Sequence, residues 1–404
     1  LVGSEMCIRD RSIYKNLTML STAKFLSGFA GYVYDVGIVI YLYNMTESVA
    51  VIGGFFVSQF LPAFVMLMLG EMIDRYNKKR LMIISGFIKA VICLVLLNNR
   101  SVWSIYLTTF LMNLILEFEH STSSALMVDV FSKEEIFKMA SVMNVVDSAS
   151  LIMGPICASF LAAKFDIGIN LVINILLYII SAVIYGFIQM NCMQDIKCTE
   201  EKDIKIYRKK GIWRTYIKIF QKERILSTVI FWNIFMLCIG IALPLEITMI
   251  EDTLKMSSAW YGIGNMVEGL GMMVASAFIL GKIKKLKPEN IISLGLFTAA
   301  LSYLMIGISP NIWMYFIGAG LVGMTSTFCP LGFKTEIQVE SSPEIVGRTF
   351  TTARFTILIS RTVGSLIVGG LLNIFSIRIV YYGLTGILMV SAIIFGVRLR
   401  DSAT

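Results

Sequence analysis

The sequence predicts an all-α integral membrane protein whose twelve transmembrane helices form two six-helix bundles. Of its 404 residues, 56% are hydrophobic and only 15% are charged, and long apolar runs recur along the whole chain. The mean hydropathy of +0.77 is too high for a water-soluble surface. The runs are continuous and close to the roughly 20 residues that a helix needs to cross the bilayer, whereas transmembrane β-strands alternate over about ten residues.

The apolar runs also give the domain organisation. They place the helices at residues 20–43, 49–70, 81–97, 102–127, 139–163, 169–190, 225–250, 258–281, 289–308, 312–333, 349–373 and 379–397. We expect an N-terminal bundle over residues 1–190, a basic cytoplasmic linker over residues 191–224 and a C-terminal bundle over residues 225–404. Residues 1–11, LVGSEMCIRDR, resemble a translated sequencing adapter, and we expect them to be a non-native leader without function.

Lysine and arginine are distributed unequally between the two sides that this helix order defines. Of the 35 Lys and Arg residues, 27 lie at the termini or in the even-numbered connections, and only Arg100, Lys164, Lys255 and Arg378 lie in the odd-numbered ones. Positive charge is retained in the cytoplasm during membrane insertion. Both termini should therefore be cytoplasmic, and topology and lipid contact explain the net charge of +8 better than nucleic-acid binding does.

The residues that enzymes and metal sites require are scarce. The seven cysteines are scattered without a CxxC pair, the chain has one histidine, and it has no P-loop, HExxH or GxSxG sequence. This pattern predicts no disulfide framework, no metal site, no cofactor and no enzymatic activity.

The chain contains an internal repeat. A shift of 210 residues aligns residues 132–161 with residues 342–371 without a gap, and it pairs Gly154 with Gly364. Two parallel six-helix repeats are what alternating access by rocking of two bundles requires. The alternative is a chance match of two apolar helices, which the matching loop positions disfavour.

Two motifs resemble those of the major facilitator superfamily. Residues 70–80, GEMIDRYNKKR, fit its G-x-x-x-D-R-x-x-R/K-R/K loop and lie between predicted helices 2 and 3, where that family has this loop. Residues 343–350, PEIVGRTF, resemble the P-E-x-x-G-R-x-F segment of the branch that contains macrolide-efflux and enterobactin-export proteins. Helix 4 lacks the arginine common in proton-coupled drug antiporters, which argues against coupling through that arginine.

The resemblance implies a gate on the cytoplasmic side. Asp74 would accept hydrogen bonds at the N-terminus of helix 11, and Arg75 would pair with Asp129 at the end of helix 4. The full set of gate residues is Gly70, Asp74, Arg75, Lys79, Asp129, Gly347 and Arg348. The alternative is that these charges only fix the topology, and we favour it for Lys79 and its basic neighbours.

Helix 5 contains a second element of the resemblance. Gly154 and Pro155 are similar to the glycine-proline motif of exporters in the same family. Proline bends a helix and glycine allows close packing, so a plain packing kink is the alternative to a role in export.

Ionisable side chains within the predicted helices are the candidates for substrate and proton binding. A charge at the bilayer centre costs roughly 2.5 to 3.5 kcal/mol, so it usually faces a cavity or a partner. The candidates are Asp35, Glu117, His120, Asp147, Glu246, Glu268, Arg354 and Arg361. The alternative for each is a structural ion pair, and for His120 we favour a hydrogen-bonded packing role.

Within this set, Asp35 ranks first and Glu268 second as the carboxylate that binds a proton. Asp147 and the helix-11 stripe of Arg354 and Arg361 are the candidate counter-charges. Glu246 follows a proline, where a break in the helix would expose backbone to a cavity.

Together, the residues and the resemblance predict a secondary active transporter that exports amphipathic small molecules, such as macrolide-like drugs, by proton antiport with alternating access. Its partners would be the substrate, protons and the lipid bilayer, and it would function as a monomer. The resemblance implies the bacterial inner membrane. Two alternatives stay open: a siderophore or metabolite exporter, in which Arg354 and Arg361 would matter more than Asp35, and a transporter-like receptor that binds its ligand without moving it.

Overall fold

Twelve helices form the part of the protein that the computed structural model describes, residues 2–63, 65, 77–130, 133–188, 223–282, 287–340 and 346–401. They are α1 (Val2–Thr46), α2 (Val49–Phe60), α3 (Lys78–Asn98), α4 (Val102–Val130), α5 (Lys133–Lys164), α6 (Ile167–Gly186), α7 (Glu223–Thr248), α8 (Ala259–Lys282), α9 (Pro288–Ile308), α10 (Ile312–Glu340), α11 (Val346–Leu372) and α12 (Ile377–Asp401).

Most helix ends lie within a few residues of the predicted ones. The largest differences are at α1, which begins at Val2 rather than at residue 20, and at α10, which continues to Glu340 rather than ending at residue 333. The reason is that an apolar run marks only the segment inside the hydrocarbon, whereas a helix satisfies its own backbone and can continue into the polar region. The predicted end of helix 2 and residues 191–222 of the linker lie outside the described residues.

The described helices have the length and the surface of membrane spans. Ten carry an apolar stretch long enough to cross a membrane, and α2 contributes a shorter one. Large apolar side chains such as Val91, Leu107 and Val390 are exposed on the outside of the helices, where lipid would cover them. Trp103 and Trp313 are exposed in the first turns of α4 and α10, where tryptophan anchors a helix at the interface. The protein is an all-α membrane protein, as predicted.

Helix packing follows the internal repeat. In the first half α1 packs on α5, α2 on α4, and α3 on both α4 and α6. The equivalent contacts in the second half join α7 to α11, α8 to α10, and α9 to both α10 and α12. Each half is therefore a six-helix bundle built on the same plan.

The close backbone contacts between the bundles lie near one side of the membrane. We call the side with the connections α1–α2, α5–α6, α7–α8 and α11–α12 the opposite face, and the side with the even-numbered connections the basic face. At the opposite face Gly53 of α2 lies against the carbonyl oxygen of Ser365 on α11, and Gly369 lies against Ala50. Glycine permits this close backbone approach.

A second contact between the bundles joins α5 to α8, also near the opposite face. Gly262, in the first turn of α8, lies against Pro155 and Ser159 of α5, and Gly269 lies further along against Ile152. The α2–α11 and α5–α8 contacts together close the opposite face of the protein.

The start of α6 at the opposite face is fixed by Asp166. Its carboxylate accepts a hydrogen bond from the Gly168 N–H at 3.0 Å and pairs with Arg100 at 2.5 Å. The backbone N–H first, and Arg100 second, hold the pKa of Asp166 below its usual range. A lowered pKa in the folded state means that this contact stabilises the fold at neutral pH and is lost on acidification, although the exposed position keeps its contribution small.

Helix α7 continues through Pro244 without a break before Glu246. Proline removes the hydrogen bond to the carbonyl group four residues earlier, which belongs to Gly240. The Ser365 hydroxyl on α11 donates to this carbonyl oxygen at 2.9 Å. A bond between helices thus replaces the lost bond within the helix, and α7 changes to a π-helical turn only at Met249–Thr253.

Close backbone packing also joins α8 to α10. A Cβ atom added at Gly323 would lie 2.7 Å from the carbonyl carbon of Glu268, and one added at Gly271 would lie 2.9 Å from that of Gly320. The two glycines therefore determine where the α8 backbone holds Glu268.

We expect Gly323→Ala to lower the free energy of unfolding by about 1–3 kcal/mol, because the methyl group must displace the α8 backbone. Thermal unfolding of the purified protein in detergent measures this effect. Gly386→Ala in α12 is the matched control, since a Cβ atom there meets nothing within 4 Å. Equal melting temperatures for the two variants would contradict the packing argument.

Candidate functional site

The first cavity of the candidate site lies inside the N-terminal bundle. This N-bundle cavity has a volume of about 260 Å³. Its polar lining residues are Ser27, Tyr32, Tyr34, Asp35, Lys89, Asn113, Asp147, Ser150 and Tyr178. The cavity brings together two of the predicted carboxylates and one lysine.

Asp35 lies midway along the membrane-spanning part of α1 and is partly buried. Gln59 of α2 is its hydrogen-bonding neighbour, and no described lysine or arginine forms an ion pair with it. Asp35 therefore has a hydrogen-bonding neighbour but no fixed counter-ion, and this arrangement suits reversible proton binding.

Asp147 has a counter-ion of its own. Its Oδ2 atom lies 2.7 Å from Nζ of Lys24 on α1, and 45% of the Asp147 side chain is exposed towards the cavity side. This pair joins α1 to α5. Asp147 is thus paired within its own bundle rather than with Arg354 or Arg361 of α11.

Lys89 forms a buried network at the wall of the N-bundle cavity. Its Nζ atom donates to Glu119 Oε2 at 2.7 Å and to Ser27 Oγ at 2.6 Å, and it lies 4.6 Å from the centre of the Tyr178 ring. Ser85 donates to the other Glu119 oxygen at 2.6 Å. Only 3% of the Lys89 side chain is exposed. The network joins α1, α3, α4 and α6.

The second cavity lies inside the C-terminal bundle. This C-bundle cavity has a volume of about 280 Å³ and is lined by Phe235, Met236, Ile239, Ala242, Leu243, Glu246, Glu268, Met272, Tyr303, Val322, Ser326, Pro330 and Arg361. Three predicted site residues, Glu246, Glu268 and Arg361, therefore meet here. The only hydrogen bond that the described residues give to Glu268 is a long one from Ser326, at 3.5 Å.

Tyr32 lies between the two cavities. It lines the N-bundle cavity, and it is an electrostatic neighbour of Asp35 and Asp147 on one side and of Glu268 on the other. The packing of Gly154 against Tyr32 and against the Phe29 carbonyl oxygen holds this part of α1 in place. The acidic groups of the two bundles thus face each other across one aromatic side chain.

Glu117 and Arg354 form an ion pair between the bundles. Arg354 Nη2 on α11 lies 2.9 Å from Glu117 Oε2 on α4, and the two side chains are 57% and 31% exposed. Both predicted residues therefore face the space between the bundles, in reach of solvent and substrate.

A model of the Major Facilitator Superfamily matches residues 20–338 of the chain. The chain belongs to the Major Facilitator Superfamily. Membership in this family makes the chain a transporter rather than an enzyme.

The relatives of this transporter are distant. The uncharacterized MFS-type transporter YkuC of Bacillus subtilis is 22% identical over 275 residues, 65% of this chain and 63% of that protein. The chloramphenicol resistance protein CraA of Acinetobacter baumannii is 21% identical over 264 residues, 65% of this chain and 62% of that protein. The matches span less than two thirds of either relative, so the resemblance to macrolide-efflux and enterobactin-export proteins stays a prediction.

Solved structures show the same fold. The nucleoside transporter NupG superposes with a TM-score of 0.78 at 13% identity, covering 95% of this chain and 98% of that one. The peptide transporter POT in complex with sulfate gives 0.74 at 12% identity, with coverage of 96% and 94%. At such low sequence identities, the structural similarity shows a shared fold and does not indicate a shared substrate.

The predicted gate of this major facilitator lies mostly outside the described residues. Gly70, Asp74 and Arg75 are outside them, and for Asp129, Gly347 and Arg348 only the helical backbone is described. The His120 side chain is also outside. Lys79 donates to the Ile188 carbonyl oxygen at 2.8 Å, where a cation complements the C-terminal end of α6.

Sequence reasoning missed the partners of the buried charges. Lys24, Lys89 and Glu119 stand inside apolar runs, and a lone charge at that depth already indicates a partner on another helix. Which helix supplies the partner depends on the packing, so the pairs were not predictable from spacing.

We expect Lys89→Met to destabilise the protein by about 3–5 kcal/mol, because it leaves the Glu119 carboxylate buried without its cation. The double variant Lys89→Met/Glu119→Gln should recover most of this loss. Melting temperatures of the purified proteins measure both effects. Arg100→Gln is the control, since it breaks an exposed ion pair and should cost about 1 kcal/mol or less. A double variant no more stable than Lys89→Met would contradict the pairing.

Proposed function

We propose that this major facilitator exports amphipathic small molecules from the cytoplasm in exchange for inward-moving protons. The observation that carries the proposal is the pair of mid-membrane cavities with Asp35 in one, Glu246 and Glu268 in the other, and Tyr32 between them. Carboxylates without a fixed cation suit proton binding, and the apolar and aromatic walls around them suit an amphipathic substrate.

The conformation supports an inward-facing state. The bundles meet near the opposite face, and the Lys and Arg census supports a cytoplasmic location for the basic face. Substrate would then enter from the cytoplasm and reach the Glu117–Arg354 pair between the bundles. The proposed setting is the bacterial inner membrane, with both termini cytoplasmic and one chain as the functional unit.

Rocking of the bundles would open the opposite face and close the basic face. We propose the domain boundaries 1–190, 191–224 and 225–404 as the rigid halves and their linker. The gate around Asp74 and the N-terminus of α11 would hold the basic face shut in the outward-facing state. Gly154 and Pro155 would provide the packed α1–α5–α8 junction about which the halves move.

Among the relatives, the name of CraA supports drug export, since that protein is a chloramphenicol resistance protein. The likeness to nucleoside and peptide transporters favours no particular substrate. The aromatic and methionine residues of the cavities, among them Met112 and Met272, can adapt to varied apolar groups.

We expect an efflux-deficient bacterium expressing the protein to accumulate less chloramphenicol, macrolide or cationic dye than one carrying the empty vector. Asp35→Asn should remove most of this difference, because an amide cannot bind and release the proton that drives export. A protonophore should remove it in the wild type. Uptake of labelled drug and dye fluorescence are the measurements.

The control for this experiment is Asp166→Asn, which removes a carboxylate at the opposite face outside the membrane and keeps a side chain that can cap α6. It should export like the wild type. Unchanged accumulation for every compound, despite verified membrane expression, would overturn drug export. Binding without flux would identify the receptor alternative.

A second candidate function is export of an anionic metabolite such as a siderophore. The exposed Arg354 side chain favours it, because a cation between the bundles can bind an acidic substrate group. For such a substrate we expect Arg354→Gln to abolish transport, while Asp35→Asn retains binding of the anion. Loss of binding in Asp35→Asn and not in Arg354→Gln would exclude this candidate. Substrate-induced thermal stabilisation of the two variants measures the difference.

A further inference from the structure

We propose that Phe60 is a positioning residue that holds the Arg361 guanidinium away from Glu268 and Glu246 while the opposite face is closed. When α2 and α11 separate, the guanidinium is released to these carboxylates. The inference rests on the proposed function, since it explains how bundle movement and proton binding are coupled.

The contact itself joins the two bundles. The guanidinium carbon of Arg361 on α11 lies 3.9 Å from the centre of the Phe60 ring on α2. A cation at this distance over an aromatic face is attracted by the ring quadrupole. Phe60 is 6% exposed, so water competes little for the contact.

Arg361 is not otherwise satisfied. Its Nε atom is buried and has no hydrogen-bond partner among the described residues. Arg361 also forms no ion pair with any described carboxylate, although it lines the C-bundle cavity together with Glu246 and Glu268. Arg361 thus lies beside two carboxylates without an ion pair to either, and the group that its guanidinium contacts is Phe60.

The two carboxylates come from different helices, Glu246 from α7 and Glu268 from α8. Other titratable or charged groups face them from the surrounding helices: Arg361 from α11, Tyr303 from α9, Tyr315 from α10, Tyr381 from α12, Tyr261 from α8 itself, and Tyr32 from α1. Arg361 is the one cation in this described set. Its position therefore decides whether a negative charge on Glu268 is compensated.

Phe60 stands at the inner end of the α2–α11 contact. Towards the opposite face, the same two helices meet at Gly53 with Ser365 and at Ala50 with Gly369. Opening of the opposite face must break these contacts and withdraw the Phe60 ring from Arg361. The guanidinium then loses its aromatic partner and has the nearby carboxylates as its alternative.

The proton balance fits antiport. In the proposed cycle, protonated Glu246 and Glu268 leave Arg361 on Phe60 while the opposite face is closed, and substrate entering from the basic face would displace one proton to the water on that side. The charged acid then pairs with Arg361 and favours the outward-facing state. After the substrate leaves, a proton from the opposite face neutralises the acid, and Arg361 returns to Phe60. Each turn of this switch moves one proton inward through the Glu246 and Glu268 pair, and a proton carried by Asp35 would come in addition.

The test is infrared spectroscopy of the purified full-length protein in lipid across a pH series. The carboxylic C=O band that is lost in Glu268→Gln reports the protonated form of Glu268 and needs neither substrate nor gradient. We expect Phe60→Leu to move the midpoint of this band by about one pH unit or more to lower pH, because the freed Arg361 favours the charged carboxylate. Phe60→Tyr keeps an aromatic face and should keep the wild-type midpoint.

Phe56→Leu is the matched control. Phe56 lies one turn earlier on α2, is 6% exposed like Phe60 and stacks on it, yet it does not contact Arg361. It should leave the midpoint unchanged. In the Arg361→Gln background, Phe60→Leu should have no effect. Phe60→Met gives a second variant that retains side-chain volume should Phe60→Leu fail to fold.

A wild-type midpoint in folded Phe60→Leu and Phe60→Met would overturn the proposal. So would an equal shift in Phe56→Leu, since that result would indicate general loosening of α2. Failure of the proposed drug export is a separate outcome, because it appears in accumulation assays and leaves this titration unaffected. A shift in the titration without any drug export would support the role of Phe60 and contradict the proposed class of substrate.

Discussion

The cost of an uncompensated charge in a low-dielectric interior decides how most of this protein is organised. Lys89 and Glu119 meet this constraint with a network inside one bundle, in which both Glu119 oxygens accept a hydrogen bond and Lys89 donates two and lies over the Tyr178 ring. Lys24 and Asp147 meet it with a partly exposed pair. Asp35 meets it only in part, since it has a hydrogen-bonding neighbour and no described cation. The degree of compensation therefore separates charges that hold the fold from charges that can change state during transport.

The second constraint is that membrane helices have no hydrophobic drive to associate, so close backbone packing has to hold the bundles together. Ser365 shows how tightly the two requirements are combined. Its hydroxyl replaces the hydrogen bond that Pro244 removes from α7, and its carbonyl oxygen lies against Gly53 of the other bundle. The same residue thus stabilises a helix within one half and contacts the other half. A substituent at Gly53 would disturb this contact without touching either cavity.

The sequence predicted the helix order, the two-fold plan and the family, because apolar length, the 210-residue repeat and the loop motif are local properties of the chain. It also placed every charge that lines the two cavities in the correct helix. It did not predict which charges pair, since Lys24 with Asp147 and Lys89 with Glu119 depend on helix rotation and neighbours that no spacing rule encodes. The continuity of α7 through Pro244 could not be predicted for a related reason: a hydroxyl from a distant helix replaces the missing hydrogen bond.

A cation that couples bundle movement to proton binding must be bound strongly enough in one state to stay away from the two carboxylates. It must also be bound weakly enough to move to them in the other state. A cation–π contact is worth about 0.5–2 kcal/mol, which a modest rearrangement can overcome. A salt bridge with a permanently charged carboxylate would hold Arg361 in both states and transmit nothing. An apolar neighbour in place of Phe60 would offer no attraction and let Arg361 neutralise Glu268 at all times. The aromatic partner on the opposite bundle therefore has the strength and the location that a reversible coupling requires.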